Sequence, residues 1–153
     1  MRVIVSIMQS QNTEGTYLGF DFGYKKIGVA VGQTITSSAS PLQTIRSINQ
    51  SPDWQIISQL INEWRPTGLV VGISRQMDGS DNPVTPRIIK FCHQLEGRYQ
   101  LPVYKQDETL STFEAKQMLF DDVNVTATKL WEVQDQLAAQ LILQSWLNDQ
   151  IKG

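Results

Sequence analysis

Hydrophobic and polar positions along the chain first follow strand-like spacing. Three extended runs predict strands at residues 17–23, 27–33 and 39–45, with a short turn between the first two. Pro41 lies in the third run, and it favours an edge position for that strand because proline cannot donate a hydrogen bond to a neighbouring strand. The beginning of the chain therefore indicates an antiparallel arrangement of three strands.

The pattern then changes to helices that alternate with strands. Apolar residues at three-and-four spacing predict four helices, over residues 51–64, 85–99, 111–120 and about 128–148. Ser51 and Ser111 are the expected N-caps of the first and third helices, and the runs GLVVGIS and LPVYKQDE predict the fourth and fifth strands. This order indicates an α/β fold with a mixed five-stranded sheet, antiparallel in its first three strands and flanked by about four helices.

The composition limits the classes of protein and of site. The chain has 153 residues, of which 41% are hydrophobic and 18% charged, and a net charge of −2. A nucleic-acid partner would therefore require a local basic patch or bound metal ions. Cys92 and His93 are the only cysteine and histidine, which excludes an internal disulfide, a Cys₂His₂ zinc site and a triad with a second histidine. Because adjacent helix residues face different directions, we interpret this pair as structural.

The first apolar run, MRVIVSIM, is too short to cross a membrane, and no signal-peptide cleavage pattern follows it. We expect residues 1–16 to form a loosely ordered N-terminal extension and residues 17–150 to form a single domain. The low cysteine content favours a reducing, cytoplasmic location, and we expect no membrane partner.

Acidic residues occupy positions where a sheet protein would ordinarily carry other residue types. Asp21 lies in the middle of the first strand, Asp107 and Glu108 end the fifth, and Asp135 lies in the last helix. Apolar residues three, four and seven positions after Asp135 place it on the stripe that should face the sheet. Carboxylates that converge at one end of a sheet repel one another unless a cation binds them. Oxygen ligands without histidine or thiolate are typical of Mg²⁺ or Mn²⁺, and two such ions about 4 Å apart promote phosphodiester hydrolysis.

Each of these acids also has a structural interpretation. Asp21 could cap the turn that follows it, and Asp107 could be a turn residue. Glu108 could be solvated, and Asp135 could mark the edge of the polar face of its helix. The spacing alone leaves both interpretations open.

Four sequence blocks resemble signature blocks of the YqgF family, the RuvX-like proteins. They are LGFDFGYKKIGVAVG, LVVGISRQMDGS, DETLSTFEA and DQLAAQLILQSWL, and they occur in this order over nearly the whole chain after residue 16. Members of this family are described as pre-16S rRNA nucleases and also as Holliday-junction-resolvase-like proteins. The resemblance implies a ribonuclease H-like fold, with Asp21, Glu108 and Asp135 as the catalytic residues and metal ligands.

The resemblance also implies the reaction and the partners. We expect a metal-dependent nuclease that hydrolyses phosphodiester bonds, uses two Mg²⁺ or Mn²⁺ ions and processes the 5′ end of pre-16S ribosomal RNA. The alternatives are a Holliday junction resolvase that acts on branched DNA, and a non-catalytic nucleic-acid-binding module on the same fold. The expected partner is therefore structured RNA or branched DNA, and the expected state is a monomer or a weak homodimer.

Three positions depart from the pattern of the family. Thr109 stands where an arginine is usual, Val133 where a lysine is usual and Ser74 where a proline is usual. Lys129, about one turn before Val133, is a candidate replacement for that lysine. The missing basic residues motivate the non-catalytic alternative, because an arginine beside the site would be a candidate phosphate clamp.

Basic residues near the predicted site are candidates for nucleic-acid binding. Two follow Asp21 in the first turn, one follows the fourth strand, and two lie three positions apart on the second helix. These five residues are Lys25, Lys26, Arg75, Arg87 and Lys90. Together they would form the local positive patch that the net charge does not supply, whereas each one taken singly could be ordinary solvated surface.

Overall fold

A five-stranded mixed sheet lies at the centre of the structure, a computed structural model that describes residues 14–73, 83–107 and 127–152. Its strands are β1 (Thr16–Phe22), β2 (Lys26–Gln33), β3 (Ser38–Arg46), β4 (Gly68–Ile73) and β5 (Val103–Asp107). They lie in the order β3-β2-β1-β4-β5, with antiparallel β1–β2 and β2–β3 pairs and parallel β1–β4 and β4–β5 pairs. The predicted mixed sheet is confirmed, and β3 lies at an edge, as Pro41 indicated.

Helices cover both faces of this sheet. Those in the described ranges are α1 (Trp54–Trp64), α2 (Thr85–Tyr99) and α3 (Ala127–Lys152). On the face that α1 and α2 cover, the rings of Phe20 and Phe91 pack with their centroids 5.7 Å apart. On the opposite face, which α3 covers, Tyr17 packs against Trp146 with a centroid distance of 4.6 Å. The predicted helix over residues 111–120 lies outside the described residues.

The helix boundaries differ from the predicted ones at two places. Asp53, not Ser51, is the N-cap of α1, and its carboxylate accepts a hydrogen bond from the Ile56 N–H at 3.4 Å. The expectation for Ser51 was wrong because Ser51 instead exchanges backbone hydrogen bonds with Ile48, which keeps it outside the helix. Helix α3 continues to Lys152, beyond the predicted end at residue 148.

The cysteine and histidine pair is split between core and surface. Cys92 is fully buried in the core beneath α1 and α2, whereas His93 is exposed. Burial is the largest cause that raises the pKa of the Cys92 thiol to about 11. A buried neutral thiol packs as a small apolar group, which agrees with a structural interpretation of this pair.

Two expectations concern the ends of the chain and membranes. Residues 1–13 are outside the described ranges, so the loosely ordered extension stays a prediction. Among the helices that the structure describes, none is long and apolar enough to cross a membrane.

Candidate active site

Asp21 lies inside the strand ladder and on the sheet face that α3 covers. It is opposite Gly28 in the β1–β2 pair and is half-buried. Side chains alternate between the faces of a strand, so Asp21 shares its face with Tyr17 and Gly19. Tyr17 packs on α3, and Gly19 lies against the α3 residue Leu143, which identifies that face. The carboxylate of a core strand is therefore directed to the side of the sheet where the last helix lies.

Gly28 brings Asp135 to the same place. A methyl group on Gly28 would lie 2.9 Å from the Asp135 Cβ, and closer still to the carbonyl group of that residue. The backbone of α3 thus rests directly on β2 at the residue paired with Asp21. A glycine in the interior of a strand is typical of such a close backbone approach. The structure therefore brings two of the three predicted acids, Asp21 and Asp135, to neighbouring positions.

Glutamine side chains on α3 hold the helix in register with the edge strand. Gln144 donates to the Ser37 carbonyl at 2.7 Å and accepts from the Ala39 N–H at 3.0 Å. Gln140 donates to the Ala39 carbonyl at 2.9 Å, and Gln136 donates to the Thr44 hydroxyl at 3.1 Å. Because Gln136 is the neighbour of Asp135, these bonds fix where along the sheet Asp135 lies.

Lys26 is the described cation nearest to Asp135. Its Nζ lies 3.1 Å from the Asp135 Oδ2, and the two side chains are 17% and 20% exposed. Oδ2 itself is shielded from solvent and accepts no well-aligned hydrogen bond from the part of the chain that the structure describes. The ammonium therefore balances this carboxylate mainly through charge, and Lys26 belongs to the site itself as well as to the predicted basic patch.

The carboxyl ends of three strands meet at this edge of the sheet. Parallel pairing places β4 and β5 beside β1 with the same direction, and Ile73 is opposite Asp107 at the end of β5. Asp21 is the penultimate residue of β1. Ligands of open α/β sheets bind at this end of the strands. Asp107 therefore lies at the same edge as Asp21, with Glu108 as the next residue in the chain.

Several predicted site residues lie outside the described residues: Glu108, Arg75, Thr109 and Ser74. The same holds for the side chain of Lys129, whereas Val133 is half-buried on α3. Within the ranges 14–73, 83–107 and 127–152, no three metal-ligating side chains cluster. The predicted metal ligands Asp21, Glu108 and Asp135 thus stay a prediction as a set of three, of which two are placed together.

The predicted basic residues that the structure describes lie in and next to the β1–β2 turn and on α2. Lys25 is exposed in that turn, and Arg87 and Lys90 are exposed on α2. The Arg87 guanidinium carbon lies 4.9 Å from the centroid of the Tyr24 ring, which joins the turn to α2. Sequence reasoning missed Tyr24 and Gly28. The glycine had a detectable signal, because a glycine within a strand favours close backbone contact.

Comparison with known proteins identifies relatives over most of the chain. A family model described as "RuvX: Holliday junction resolvase" matches residues 15–149. A protein of Methylococcus capsulatus named "Putative pre-16S rRNA nuclease" is 52% identical over 133 residues, which cover 87% of this chain and 88% of that protein. A protein of the same name from Legionella pneumophila is 47% identical over 133 residues, covering 87% of this chain and 95% of the relative.

Solved structures with the same fold include two resolvases. The RuvC protein of Thermus thermophilus in complex with a Holliday junction superposes with a TM-score of 0.53 at 13% identity, covering 90% of this chain and 96% of RuvC. The Holliday junction resolvase of fowlpox virus gives a TM-score of 0.55 at 11% identity, covering 88% of this chain and 99% of the viral protein. At such low identity these similarities establish the ribonuclease H-like fold alone. The match of the family model and the relatives with close to half of their residues identical show that the chain belongs to the RuvX family.

Proposed function

We propose that this chain is a metal-dependent nuclease that hydrolyses phosphodiester bonds in the precursor of 16S ribosomal RNA. The observation that carries the proposal is the contact between α3 and Gly28, which places Asp135 beside the strand position of Asp21. The names of the relatives from Methylococcus and Legionella supply the substrate class. Nuclease chemistry on this fold needs converging carboxylates, and the neighbouring positions of Asp21 and Asp135 support such an arrangement.

The residues at the site suit a hard divalent cation. Carboxylate oxygens of Asp21, Asp135 and Glu108 would hold Mg²⁺ or Mn²⁺, in the two-ion arrangement expected for this chemistry. The shielded Asp135 Oδ2 accepts no well-aligned hydrogen bond from the described residues, so a metal ion bound there would compete only with the charge of the Lys26 ammonium 3.1 Å away. When bound, the cations activate a water molecule and stabilise charge on the phosphoryl oxygens.

The other residues of the site orient these carboxylates. Gly28 lets α3 approach β2, and the Gln136 bond to Thr44 fixes the turn of the helix that carries Asp135. Lys26 keeps a positive charge beside Asp135, and its side chain enters the site from the same face of β2 as Gly28. Lys25, Arg87 and Lys90 offer cations for phosphates that flank the cleaved bond.

Cleavage of a pre-16S RNA fragment with Mn²⁺ or Mg²⁺ tests this proposal. We expect Asp21→Asn, Glu108→Gln and Asp135→Asn each to lower the rate by roughly a hundredfold or more, because bound metal ions contribute several kcal/mol to the transition state. Asp149→Asn is the matched control, since Asp149 is an exposed acid on the same helix. Equal rates for wild type and Asp21→Asn would refute the assigned site, and a wild type that neither cleaves nor binds Mn²⁺ would support the non-catalytic alternative.

A second candidate function is the resolution of branched DNA. The description of the matching family model and the fold shared with two junction resolvases favour it. Symmetric cleavage of a four-way junction requires two active sites related by a two-fold axis, hence a dimer. Paired cuts in a synthetic junction, together with a dimer mass at the assay concentration, would support this candidate. A monomer mass with cleavage of the RNA fragment alone would exclude it.

A further inference from the structure

Tyr24 is an aromatic residue that the fold leaves at the surface beside the candidate active site. It lies in the β1–β2 turn, three positions after Asp21, and is 44% exposed. The other rings that pack in pairs within the described part of the chain belong to buried or half-buried residues, such as Tyr17, Phe91 and Trp146. Tyr24 forms no such ring pair there. Its ring therefore stabilises the core little and is available to a ligand.

The contact between Tyr24 and Arg87 gives the exposed ring a fixed orientation. The guanidinium carbon is 4.9 Å from the ring centroid, within the range of a cation–π interaction. Arg87 belongs to the first turn of α2, which carries no acidic residue, so no adjacent carboxylate on that turn competes for the guanidinium. The pair thus places a planar cation over a planar aromatic ring at the edge of the sheet where Asp21 lies.

Two further cations lie close in sequence to this pair, in a chain whose net charge is −2. Lys25 follows Tyr24 directly, and Lys90 lies three positions after Arg87 on α2, so that the two face the same side of the helix. All three cations are exposed. Exposed cations around an aromatic ring are the combination that binds single-stranded nucleic acid, in which bases stack on rings and cations contact phosphates.

We propose that Tyr24 and Arg87 form a stacking site for an unpaired nucleobase of the nucleic-acid substrate. Arg87, Lys25 and Lys90 contact the phosphates on either side of that nucleotide. Bases inside a duplex are stacked on one another and cannot reach such a ring, so the site selects a single-stranded segment next to the cleaved bond. This inference rests on the proposed nuclease function, and it adds the class of substrate, namely an unpaired strand.

Binding of a short single-stranded RNA that carries 2-aminopurine, measured in EDTA to prevent cleavage, tests the stacking site. Wild type should quench the fluorescence of the probe, and Tyr24→Leu should lose the quenching and bind about tenfold more weakly. Tyr24→Phe keeps the ring and should bind within about twofold of wild type. Arg87→Gln should weaken binding and lower the salt dependence by about one phosphate contact.

Two controls separate stacking from loss of charge or fold. Arg98 is an exposed arginine of α2 whose guanidinium carbon lies 4.1 Å from the ring centroid of Trp54 in α1, so Arg98→Gln also removes an arginine from a ring. This variant should bind like wild type. A fully paired duplex of the same sequence should bind Tyr24→Leu and wild type equally. Equal binding of the single strand by wild type and Tyr24→Leu would overturn the proposal. A loss of duplex affinity in Tyr24→Leu as large as its loss of single-strand affinity would also overturn it. Equal binding by wild type and Tyr24→Leu would refute only the stacking site if wild type still cleaves RNA and Asp21→Asn does not. If wild type binds no RNA, both the stacking site and the proposed nuclease function fail.

Discussion

Gly28→Ala is the most direct test of how the candidate active site is built. The added methyl group would lie 2.9 Å from the Asp135 Cβ and even closer to the Asp135 carbonyl. Carbon atoms pack at about 3.5–4.0 Å, so α3 must retreat from β2 by roughly 1 Å. The obstructing atoms belong mainly to the backbone of a helix, which cannot rotate away as a side chain can.

The expected losses are different for stability and for activity. Overpacking of this kind costs about 1–3 kcal/mol of unfolding free energy. A displacement of about 1 Å at a catalytic site costs about a hundredfold in rate. Gly28→Ala should therefore stay folded at room temperature while losing most of its RNA cleavage, and its affinity for Mn²⁺ should fall as Asp135 moves away from Asp21.

Gly32→Ala is the matched control for this substitution. Gly32 is on the same strand and the same face, and its added methyl group would lie 3.0 Å from the Leu147 Cδ1 and 2.8 Å from the Ser38 carbonyl oxygen. It should lose less stability than Gly28→Ala in urea denaturation, because its contacts on α3 are the ends of flexible leucine side chains. It should keep the cleavage rate within a few-fold, because these contacts, Leu143 and Leu147, lie about two to three turns beyond Asp135. Full activity in Gly28→Ala, or equal losses of activity in both variants at equal folded fractions, would refute the positioning role of Gly28.

Two further predictions concern charge and ionisation. Lys26→Met should tighten Mn²⁺ binding on the order of tenfold, because a cation bound at Asp135 competes with the ammonium 3.1 Å from Oδ2. Titration calorimetry measures this affinity, and Lys25→Met is the control that removes the same charge. Weaker Mn²⁺ binding in Lys26→Met would contradict the prediction. The raised pKa of Cys92, about 11, means that the neutral thiol contributes its full stability below the ordinary value of 9.0 and loses it as the pH rises through 11. The difference in unfolding free energy between wild type and Cys92→Ala should accordingly narrow by up to about 3 kcal/mol between pH 9 and pH 11. If urea denaturation gives the same difference at pH 8 and at pH 11, the thiol does not titrate in this way.

The sequence was sufficient to predict the sheet because strands leave a local pattern of apolar and polar residues. Alternating and continuous apolar runs marked the strands, and Pro41 marked the edge strand β3. The N-cap of α1 was assigned wrongly, since Ser51 and Asp53 are both good caps and only the tertiary placement of Ser51 beside Ile48 decides between them.

Contacts between distant segments were less accessible from the sequence. The Lys26–Asp135 pair joins residues more than a hundred positions apart, and no spacing rule relates a strand residue to one on the last helix. The stack of Tyr24 on Arg87 likewise depends on how the β1–β2 turn lies against α2. The resemblance to the RuvX family named Asp135 as a site residue, but the packing that brings it to Asp21 becomes visible only in three dimensions.

The groups that lie between α3 and the sheet become smaller from the C-terminal part of the helix towards Asp135. Near its end the helix is separated from the sheet by aromatic rings, with Trp146 4.6 Å from Tyr17 and 4.9 Å from Tyr104 between centroids. At Gly19 the nearest groups on α3 are the Leu143 Cβ, 2.8 Å from an added methyl, and the Ala139 carbonyl oxygen at 3.2 Å.

At Gly28 the backbone of Asp135 itself contacts the strand. Among Gly19, Gly28 and Gly32, the α3 backbone thus lies nearest to the strand at Gly28, in the strand pair that carries Asp21. Aromatic rings fill the space near the C-terminal part of α3, whereas Gly28 leaves no side chain between the strand and Asp135, because close-packed interiors adjust spacing to the volume of the intervening side chains. Asp21, the penultimate residue of β1, thus lies at the same edge of the sheet as Asp135, and the Lys26 ammonium offsets part of the negative charge that the two acids bring together.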